Sequence, residues 1–168
     1  MNLKESILQR LRRWSFQWFG CYRGTGGRVK YVAPDWHEIR VEVPLSWRTR
    51  NYVGTIFGGS MYGAMDPIYM LILIKRLGPE YVVWDKSASI QFKKPGRSTL
   101  HAHFVITDEE LVSIKSALEN ARSVDRTYTI DLVDGSGTVC ATVEKVIYIR
   151  RRQASQAPTP ENSGQGRN

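Results

Sequence analysis

The chain has 168 residues, of which 42% are hydrophobic and 24% charged, a composition typical of one globular domain with its own core. Two cysteines, Cys21 and Cys140, are too few for a disulfide framework or a zinc site and indicate a reducing, cytoplasmic setting. The net charge of +8 comes from the ends, because residues 1–30 carry +6 and residues 150–168 carry +3, whereas residues 31–149 carry −1. This distribution favours solubilising ends over a nucleic-acid site on the body of the protein.

The N-terminal segment predicts an amphipathic helix over residues 3–19, since its large apolar side chains recur at spacings of three and four. These side chains are Leu3, Ile7, Leu11, Trp14 and Trp18. The segment has no unbroken apolar run, so it does not resemble a signal peptide. We expect the Trp-rich face to pack on the body of the protein or on a partner subunit. Docking on an anionic membrane surface is the second-ranked alternative.

Two strands are predicted after a glycine-rich break, over residues 28–33 and 37–43, with a turn at 34–35 between them. The second strand alternates apolar and charged side chains, which is the pattern of a half-buried strand. Residues 44–57 lack any periodicity and are predicted as a loop rich in arginine and aromatic residues.

Residues 60–77 form the one long apolar helical pattern inside the body, and Gly78 and Pro79 end it. Apolar residues occupy most of its circumference, so we expect this helix to be buried on nearly all sides. The longest apolar stretch, from Met61 to Ile74, is too short to span a membrane, which takes about 20 residues.

The second half of the chain predicts an antiparallel sheet with one further helix. Strands are predicted over 82–92, 99–107, 123–133 and 138–149, a helix over 108–122, and a hairpin turn over 134–137. One buried helix beside such strands indicates an α+β fold in which the sheet wraps a long central helix. The predicted organisation is an N-terminal amphipathic helix over 1–20, one domain over 21–150 and a disordered tail over 151–168.

The segment from Asn51 to Asp66 carries the candidate chemistry. It enters the central helix through Gly58 and Gly59, whose missing side chains let a ligand approach the backbone closely. Free N–H groups at a helix start can hold an anion or a developing oxyanion. Asp66 lies about two turns further on, alone in an apolar run, and such a carboxylate is a candidate general base or nucleophile.

The Asp66–Pro67 pair has a second interpretation. Asp followed by Pro is also a helix-start pattern, with Asp as the N-cap and Pro at the first helical position. In a continuous helix, Pro67 would leave the carbonyl of Gly63 without its donor and would kink the helix. Local chemistry supports the cap and the catalyst equally. The two roles can coexist, because a kink would expose the carboxylate to a cleft.

The spacing of five residues in this segment resembles the signature of PaaI-like hotdog thioesterases. The pattern is Asn, Gly, Gly-Gly and an acid seven residues after the second Gly of the pair, and it falls on Asn51, Gly54, Gly58, Gly59 and Asp66. Residues 90–96, Ile-Gln-Phe-Lys-Lys-Pro-Gly, also resemble the strand end that follows the long helix in this family. The similarity in element order covers roughly residues 30–149.

The resemblance implies a hotdog fold that forms homodimers, or dimers of dimers, with active sites at the dimer interface. It implies that Asp66 activates water or attacks the thioester carbonyl, that the Gly59 N–H polarises the carbonyl oxygen, and that Asn51 places the substrate or water. The implied substrate is an acyl-coenzyme A or acyl-carrier thioester, and no cofactor or metal is expected. The residues expected around the substrate are Gly54, Phe57, Gly58, Ser60 and Lys94.

Two residues depart from the family pattern. Phe57 occupies the position before Gly-Gly where the family commonly has His, and Pro67 directly follows the acid. Phenylalanine cannot hydrogen-bond to a thioester or orient a water molecule. The alternative function is therefore a divergent hotdog protein that binds acyl-CoA or fatty-acyl ligands without turnover.

Two other groups of residues carry weaker signals. His101 and His103 lie on the same face of one predicted strand, but no third ligand follows at a suitable spacing, so no metal site is predicted. Lys93, Lys94 and Arg97 lie together near a strand end. They could bind coenzyme A phosphates or form a solvated turn.

Overall fold

The computed structural model describes residues 7–152, which form five helices and six strands. The helices are α1 (Ile7–Trp18), α2 (Gly20–Thr25), α3 (Gly58–Met65), α4 (Ile68–Leu77) and α5 (Asp108–Asn120). The strands are β1 (Arg28–Val32), β2 (Glu38–Val43), β3 (Tyr81–Phe92), β4 (Leu100–Val105), β5 (Val124–Val133) and β6 (Val139–Arg151). They form one antiparallel sheet in the order β1-β2-β4-β5-β6-β3. The predicted α+β class is confirmed.

The core lies between one face of this sheet and the helices α3 and α4. In β4, Leu100, Ala102 and Phe104 are buried, whereas His101 and His103 face outward, as period-two alternation requires. Strand β2 contributes its apolar residues to the same core, as do β6 and the buried face of α4. The central helices are therefore covered by the sheet, as the sequence predicts.

The central helix is two helices, which corrects the predicted single helix over 60–77. Helix α3 ends at Met65 and α4 begins at Ile68, because Pro67 has no N–H to continue the hydrogen-bond ladder. The N-cap position of α4 is Pro67, and no side chain caps this helix. The interpretation of Asp66 as the cap of a second helix is therefore wrong, and its carboxylate is engaged elsewhere.

The most apolar face of helix α1 faces solvent, although the sequence predicts that this face packs on the protein. Among the described side chains of α1, Phe16 is buried, and its ring contacts that of Tyr22 at 5.5 Å between centroids. Ile7, Leu11 and Trp14 are exposed, as is Trp18. The expectation that this face packs on the body of the same chain is wrong. The predicted positions 3–6 of the helix lie outside the described residues.

Local hydrogen bonds fix the ends of these elements, and the predicted turn over 134–137 is confirmed. Thr107 caps α5 by accepting a hydrogen bond from the N–H of Glu110. The turn between β5 and β6 is held by Asp134, and Gly137 adopts a positive φ of 82° there. Cys21 is exposed and Cys140 is buried. Most of the predicted disordered tail lies outside the described residues.

Strand β3 forms one edge of the sheet and β1 forms the other. Strand β3 has 12 residues, and within the described part of the chain it pairs with β6 alone. Most of its second half is exposed, including Phe92, and Trp84 in its first half is exposed as well. A long unpaired edge with exposed apolar side chains is a template for pairing with another strand. Within residues 7–152, no helix is long and apolar enough to cross a membrane.

Candidate functional site

Asp66 lies at the break between α3 and α4, with its side chain 44% exposed. Its Oδ1 accepts two hydrogen bonds, one from the Tyr62 hydroxyl at 2.7 Å and one from Lys145 Nζ at 2.7 Å. Tyr62 reaches it because residues four apart lie on the same face of a helix. Its Oδ2 has no partner among residues 7–152. One carboxylate oxygen is thus fixed, and the other is free toward solvent.

Lys145 is the buried centre of this cluster, with a side chain only 1% exposed. Its Nζ donates to Asp66 Oδ1, to the main-chain carbonyl of Asp66 at 2.8 Å, and to Asp85 Oδ2 at 3.0 Å. In an uninterrupted helix the Asp66 carbonyl would accept from the amide four residues later. The break at Pro67 leaves it directed at the lysine instead. All three ammonium protons are thereby used, which is the condition for burying a lysine.

The strand register brings Asp85 and Lys145 together. Lys145 occupies an inward position of β6 between Val143 and Ile147, both fully buried. Asp85 pairs with Ile147 across the two strands, and the register shifts between Asp85 and Ser87. Inward positions of neighbouring strands face the same core, so the carboxylate and the ammonium meet beneath the sheet.

The charges around Lys145 do not balance, since one ammonium faces two carboxylates. Burial raises the pKa of Asp85 above its ordinary value; the nearby Lys145 opposes this shift, and Asp66 adds to it. Oδ1 of Asp85 is buried without a hydrogen-bond partner. Burial, reinforced by the hydrogen bond to Asp66, also raises the pKa of Tyr62, so the phenol stays protonated and acts as a donor.

The raised pKa of Asp85 predicts how stability depends on pH. The folded state holds the Asp85 proton more tightly than the unfolded chain does. The stabilising contribution of the protonated group is therefore complete below the ordinary aspartate pKa of about 4 and is lost as pH rises through the folded-state pKa. We expect the difference in unfolding free energy between the wild type and Asp85→Asn to fall with rising pH, as measured by urea unfolding.

Asp35→Asn is a matched control for which the expected pH dependence of stability has the opposite sign. The hydrogen bond from His37 lowers the pKa of Asp35, which is exposed at the turn between β1 and β2. The wild-type advantage over Asp35→Asn should therefore grow as pH rises from strongly acidic values. A wild-type advantage over Asp85→Asn that also grows with pH would contradict the raised pKa of Asp85.

The start of α3 is a second part of the candidate site. The first N–H groups of a helix have no acceptor within it, and here they belong to Gly58 and Gly59. A Cβ on Gly58 would lie 2.6 Å from the Phe92 ring and one on Gly59 would lie 2.3 Å from the Phe57 ring, so a side chain at either position would displace the neighbouring ring. Phe57 and Phe92 are both more than half exposed. The two rings thus flank the helix start at the protein surface.

A cleft of about 410 Å³ opens at this helix start. It brings together three residues that the sequence predicted for the site, and its lining includes Asn51, Thr55, Gly58, Phe92, Lys93 and Lys94. The backbone amides of both lysines donate to the carbonyl of Cys140, which fixes the end of β3 beside the cleft. The cleft therefore has an apolar floor and a cationic rim.

Asn51 shapes the loop that leads into the cleft. Its Oδ1 accepts from the amides of Val53 and Thr55, and its Nδ2 donates to the Thr55 hydroxyl at 2.9 Å. Gly54 adopts a positive φ of 81° in the same turn, which a residue with a side chain would adopt only under strain. Ser60 is buried on α3. The predicted substrate contacts of Asn51, Gly54 and Ser60 stay predictions.

The two parts of the candidate site are separated within one chain. Asp66 follows Gly59 by seven residues of nearly continuous helix, which places them about 10 Å apart along the axis. The cleft at the helix start is lined by neither Asp66 nor Tyr62. One small carbonyl group cannot contact both ends of α3 in the same chain.

No motif in the sequence singled out Lys145, Asp85 and Tyr62 as members of the site. A detectable signal existed for the lysine, because it interrupts the inward series Val143, Ile147 and Ile149 in a strand whose alternation is regular. A charged residue at an inward position needs a buried partner. Tyr62 could have been found by its spacing of four from Asp66. Asp85 depends on strand register, which the sequence does not specify.

The outward histidines form no metal site. His103 Nε2 lies 2.8 Å from Glu38 Oε1, and His101 Nδ1 lies 3.6 Å from Glu42 Oε1. These pairs lie on the outer face of the sheet, away from Asp66. Across residues 7–152, no group of three or more His, Cys, Asp or Glu side chains is arranged to hold a metal ion.

Solved structures share this fold. A Pseudomonas aeruginosa protein of unknown function, described as a probable thioesterase, is 14% identical and has a TM-score of 0.75, over 85% of this chain and 95% of its own. A Haemophilus influenzae thioesterase is 15% identical with a TM-score of 0.62, over 94% and 97% of the two chains. A mutant thioesterase from Pseudomonas aeruginosa is 13% identical with a TM-score of 0.63, over 90% and 98%.

The family model for a domain of unknown function, DUF4442, matches residues 12–149, which is most of the chain. No match was found among curated proteins. The resemblance to hotdog thioesterases is confirmed at the level of the fold, and the DUF4442 match agrees with a divergent branch. The chain thus belongs to the DUF4442 family and has the hotdog fold of the PaaI-like thioesterase structures.

Proposed function

We propose that this protein hydrolyses acyl thioesters, with acyl-coenzyme A as the substrate class, at sites shared between two copies of the chain. The observation that carries the proposal is the Asp66 carboxylate, whose Oδ1 is held by Tyr62 and Lys145 while its Oδ2 is free. A carboxylate fixed in this way is suited to accept a proton from water or to attack a carbonyl carbon.

The proposed reaction is hydrolysis of the thioester bond by water. Asp66 Oδ2 takes a proton from water, and the hydroxide attacks the thioester carbonyl to give a tetrahedral intermediate with an oxyanion. The carbon–sulfur bond then breaks, and the thiolate leaves with the proton that Asp66 had accepted. The products are a carboxylic acid and a thiol. Direct attack by Asp66 followed by hydrolysis of the resulting anhydride gives the same products.

The start of α3 supplies hydrogen-bond donors for the oxyanion, which the Asp66 carboxylate cannot provide. The free N–H groups of Gly58 and Gly59, at the positive end of the α3 dipole, are suited to stabilise the oxyanion. Because they lie about 10 Å from Asp66 along one helix, they must come from a second copy if both act on one carbonyl. The exposed edge strand β3 provides a route to that copy.

Twofold pairing has the geometry that this arrangement needs. In a twofold dimer joined through antiparallel β3 edges, α3 of one copy runs opposite to α3 of the other. The start of one helix then faces the end of its counterpart, where Asp66 lies. The exposed Phe92 and half-buried Ile90 of β3 would be covered by the same contact. The cationic rim formed by Lys93 and Lys94 is suited to the phosphates of coenzyme A.

A shared site predicts complementation between two inactive variants. Asp66→Asn removes the base, and Gly59→Val places a branched side chain against the helix start that Phe57 already covers. Each homodimer should be inactive. A one-to-one mixture of co-expressed chains should recover about a quarter of wild-type hydrolysis, because half of the dimers are hybrid and each hybrid has one intact site.

Two negative outcomes have different meanings. Active wild type with no recovery in the hybrids, although both chains fold and associate, would place the whole site in one chain. A folded wild-type protein that hydrolyses no acyl-CoA would contradict the proposal that this protein is a thioesterase. Purifying differently tagged chains in tandem isolates the hybrids, whose expected hydrolysis is then about half of the wild-type value per dimer, since one of two sites is intact.

A non-catalytic acyl-ligand protein is the second candidate, and Phe57 is the observation that favours it. Its ring lies against the Gly59 backbone, where an incoming carbonyl would approach, and it cannot hydrogen-bond to the ligand. This candidate predicts that acyl-CoA binds, as measured by calorimetry, and that no thiol is released from it.

A further inference from the structure

Helix α1 presents its apolar face to solvent. Ile7 is 76% exposed, Leu11 56%, Trp14 61% and Trp18 72%, and Phe19 continues the surface at 69%. The two tryptophan rings lie side by side, with centroids 5.4 Å apart. We refer to these five residues as the α1 stripe. Four large side chains at helical spacing on the outside of a folded protein indicate a surface that binds something.

The stripe is exposed because other residues anchor the helix. Phe16, on the opposite face, is buried, and Arg12 Nη1 donates to the carbonyl of Pro34 at 2.5 Å. The Arg12 guanidinium also lies over the Trp36 ring, and Arg13 Nη1 donates to the carbonyl of Lys30 at 3.1 Å. Long arginine stems can cover apolar surface while their charged ends bind carbonyls. The polar face of α1 therefore attaches it to the body, and the apolar face is left outside.

The segment that carries the stripe is basic. Residues 7–30 contain six basic residues and no acidic one. Arg10 is exposed and lines a shallow groove together with Arg13, Ile7, Leu11 and Trp14. Large apolar side chains with flanking arginines form the arrangement that inserts into the headgroup region of an anionic bilayer.

We propose that the α1 stripe docks this protein on an anionic membrane surface, with Trp14 and Trp18 at the headgroup level and Arg10 at the lipid phosphates. The protein then lies on the membrane and does not cross it. This proposal is independent of thioester hydrolysis, because α1 packs on β1, at the opposite edge of the sheet from β3.

A second copy of the chain fits this surface less well. A twofold contact places the same patch of each copy against its counterpart, so the basic residues of one α1 would face those of the other. No acidic residue in 7–30 could offset the repulsion. An anionic lipid surface offers the complementary charge together with an apolar layer that receives the tryptophans.

Vesicle co-sedimentation of the full-length protein tests the proposal. We expect binding to vesicles of phosphatidylcholine with phosphatidylserine, weak binding to phosphatidylcholine alone, and release at high salt. Trp14→Ser combined with Trp18→Ser should weaken binding by at least about tenfold, and Arg10→Glu should weaken it on anionic vesicles. Trp47→Ser is the matched control, because Trp47 is an exposed tryptophan in the loop before α3, outside α1.

Three outcomes would overturn the proposal. The first is that the folded wild type does not bind anionic vesicles. The second is that the tryptophan double variant binds as well as the Trp47→Ser control. The third is a double variant that changes the oligomeric state in sedimentation velocity without changing vesicle binding, which would assign the stripe to a second copy. Circular dichroism of each variant shows that the fold is retained.

Discussion

Replacing Lys145 by methionine should lower the free energy of unfolding by about 3 kcal/mol, because it leaves carboxylates without their buried partner. Methionine has a similar length and keeps the apolar packing between Val143 and Ile147. The loss of unfolding free energy therefore measures the effect of removing the Lys145 ammonium. Asp85 would lose its one hydrogen-bond donor at a position where its other oxygen already has none. The expected loss is at the low end for a broken buried ion pair, because Asp66 is partly exposed to solvent. Urea unfolding at neutral pH measures it.

Two further variants separate the charge cluster from simple loss of a lysine. Lys115→Met, at an exposed position of α5, should change the unfolding free energy by less than about 0.5 kcal/mol. Adding Asp85→Asn to Lys145→Met should recover part of the stability, because the second change removes the uncompensated charge. A double variant less stable than Lys145→Met alone would mean that the two side chains are not coupled as their 3.0 Å contact indicates.

Replacing Asp66 by asparagine should reduce kcat for thioester hydrolysis by about a thousandfold while the protein stays folded. Asparagine has the same shape and keeps an oxygen that can accept from Tyr62 and Lys145, but it cannot take a proton from water or act as a nucleophile. The Asp66 main-chain carbonyl and Asp85 would still hold the lysine. Steady-state hydrolysis of an acyl-CoA, followed by thiol release, measures the change.

Asp35→Asn is the control for this loss as well, because it removes an exposed carboxylate at the opposite edge of the sheet. Its kcat should equal that of the wild type. A kcat for Asp66→Asn within tenfold of the wild-type value would remove Asp66 from the reaction, and the cluster with Lys145 would then be a structural ion pair.

The strands could be predicted from the sequence because one face of the sheet is buried. Alternation over 99–107 and 138–149 predicts strands that the structure has as β4 and β6. Periodicity also predicts helix α1 correctly, but the apolar face that it selects for packing on the body is exposed. Helical spacing identifies an apolar stripe but not what covers it, and the arginines that anchor α1 bind backbone carbonyls distant in sequence.

The candidate site was predicted in part. Asp66 and the glycines at the start of α3 follow from local chemistry and motif spacing, and the effect of Pro67 on the helix was foreseen as one of two alternatives. The partners of Asp66 could not be predicted together, because Lys145 follows it by 79 residues and meets it only through the sheet. The pairing of Asp85 with Lys145 depends on a register shift in β3 that no sequence pattern indicates.

The most direct test of the proposed function is hydrolysis by the wild-type protein across short, medium, long and aromatic acyl-CoAs, with thiol release measured alongside binding. We predict release of coenzyme A from at least one class of substrate, and its loss in Asp66→Asn without loss of binding. Binding of acyl-CoA by a folded wild-type protein with no thiol release from any substrate would contradict the enzyme and favour the binding protein, with Phe57 over the helix start as the reason.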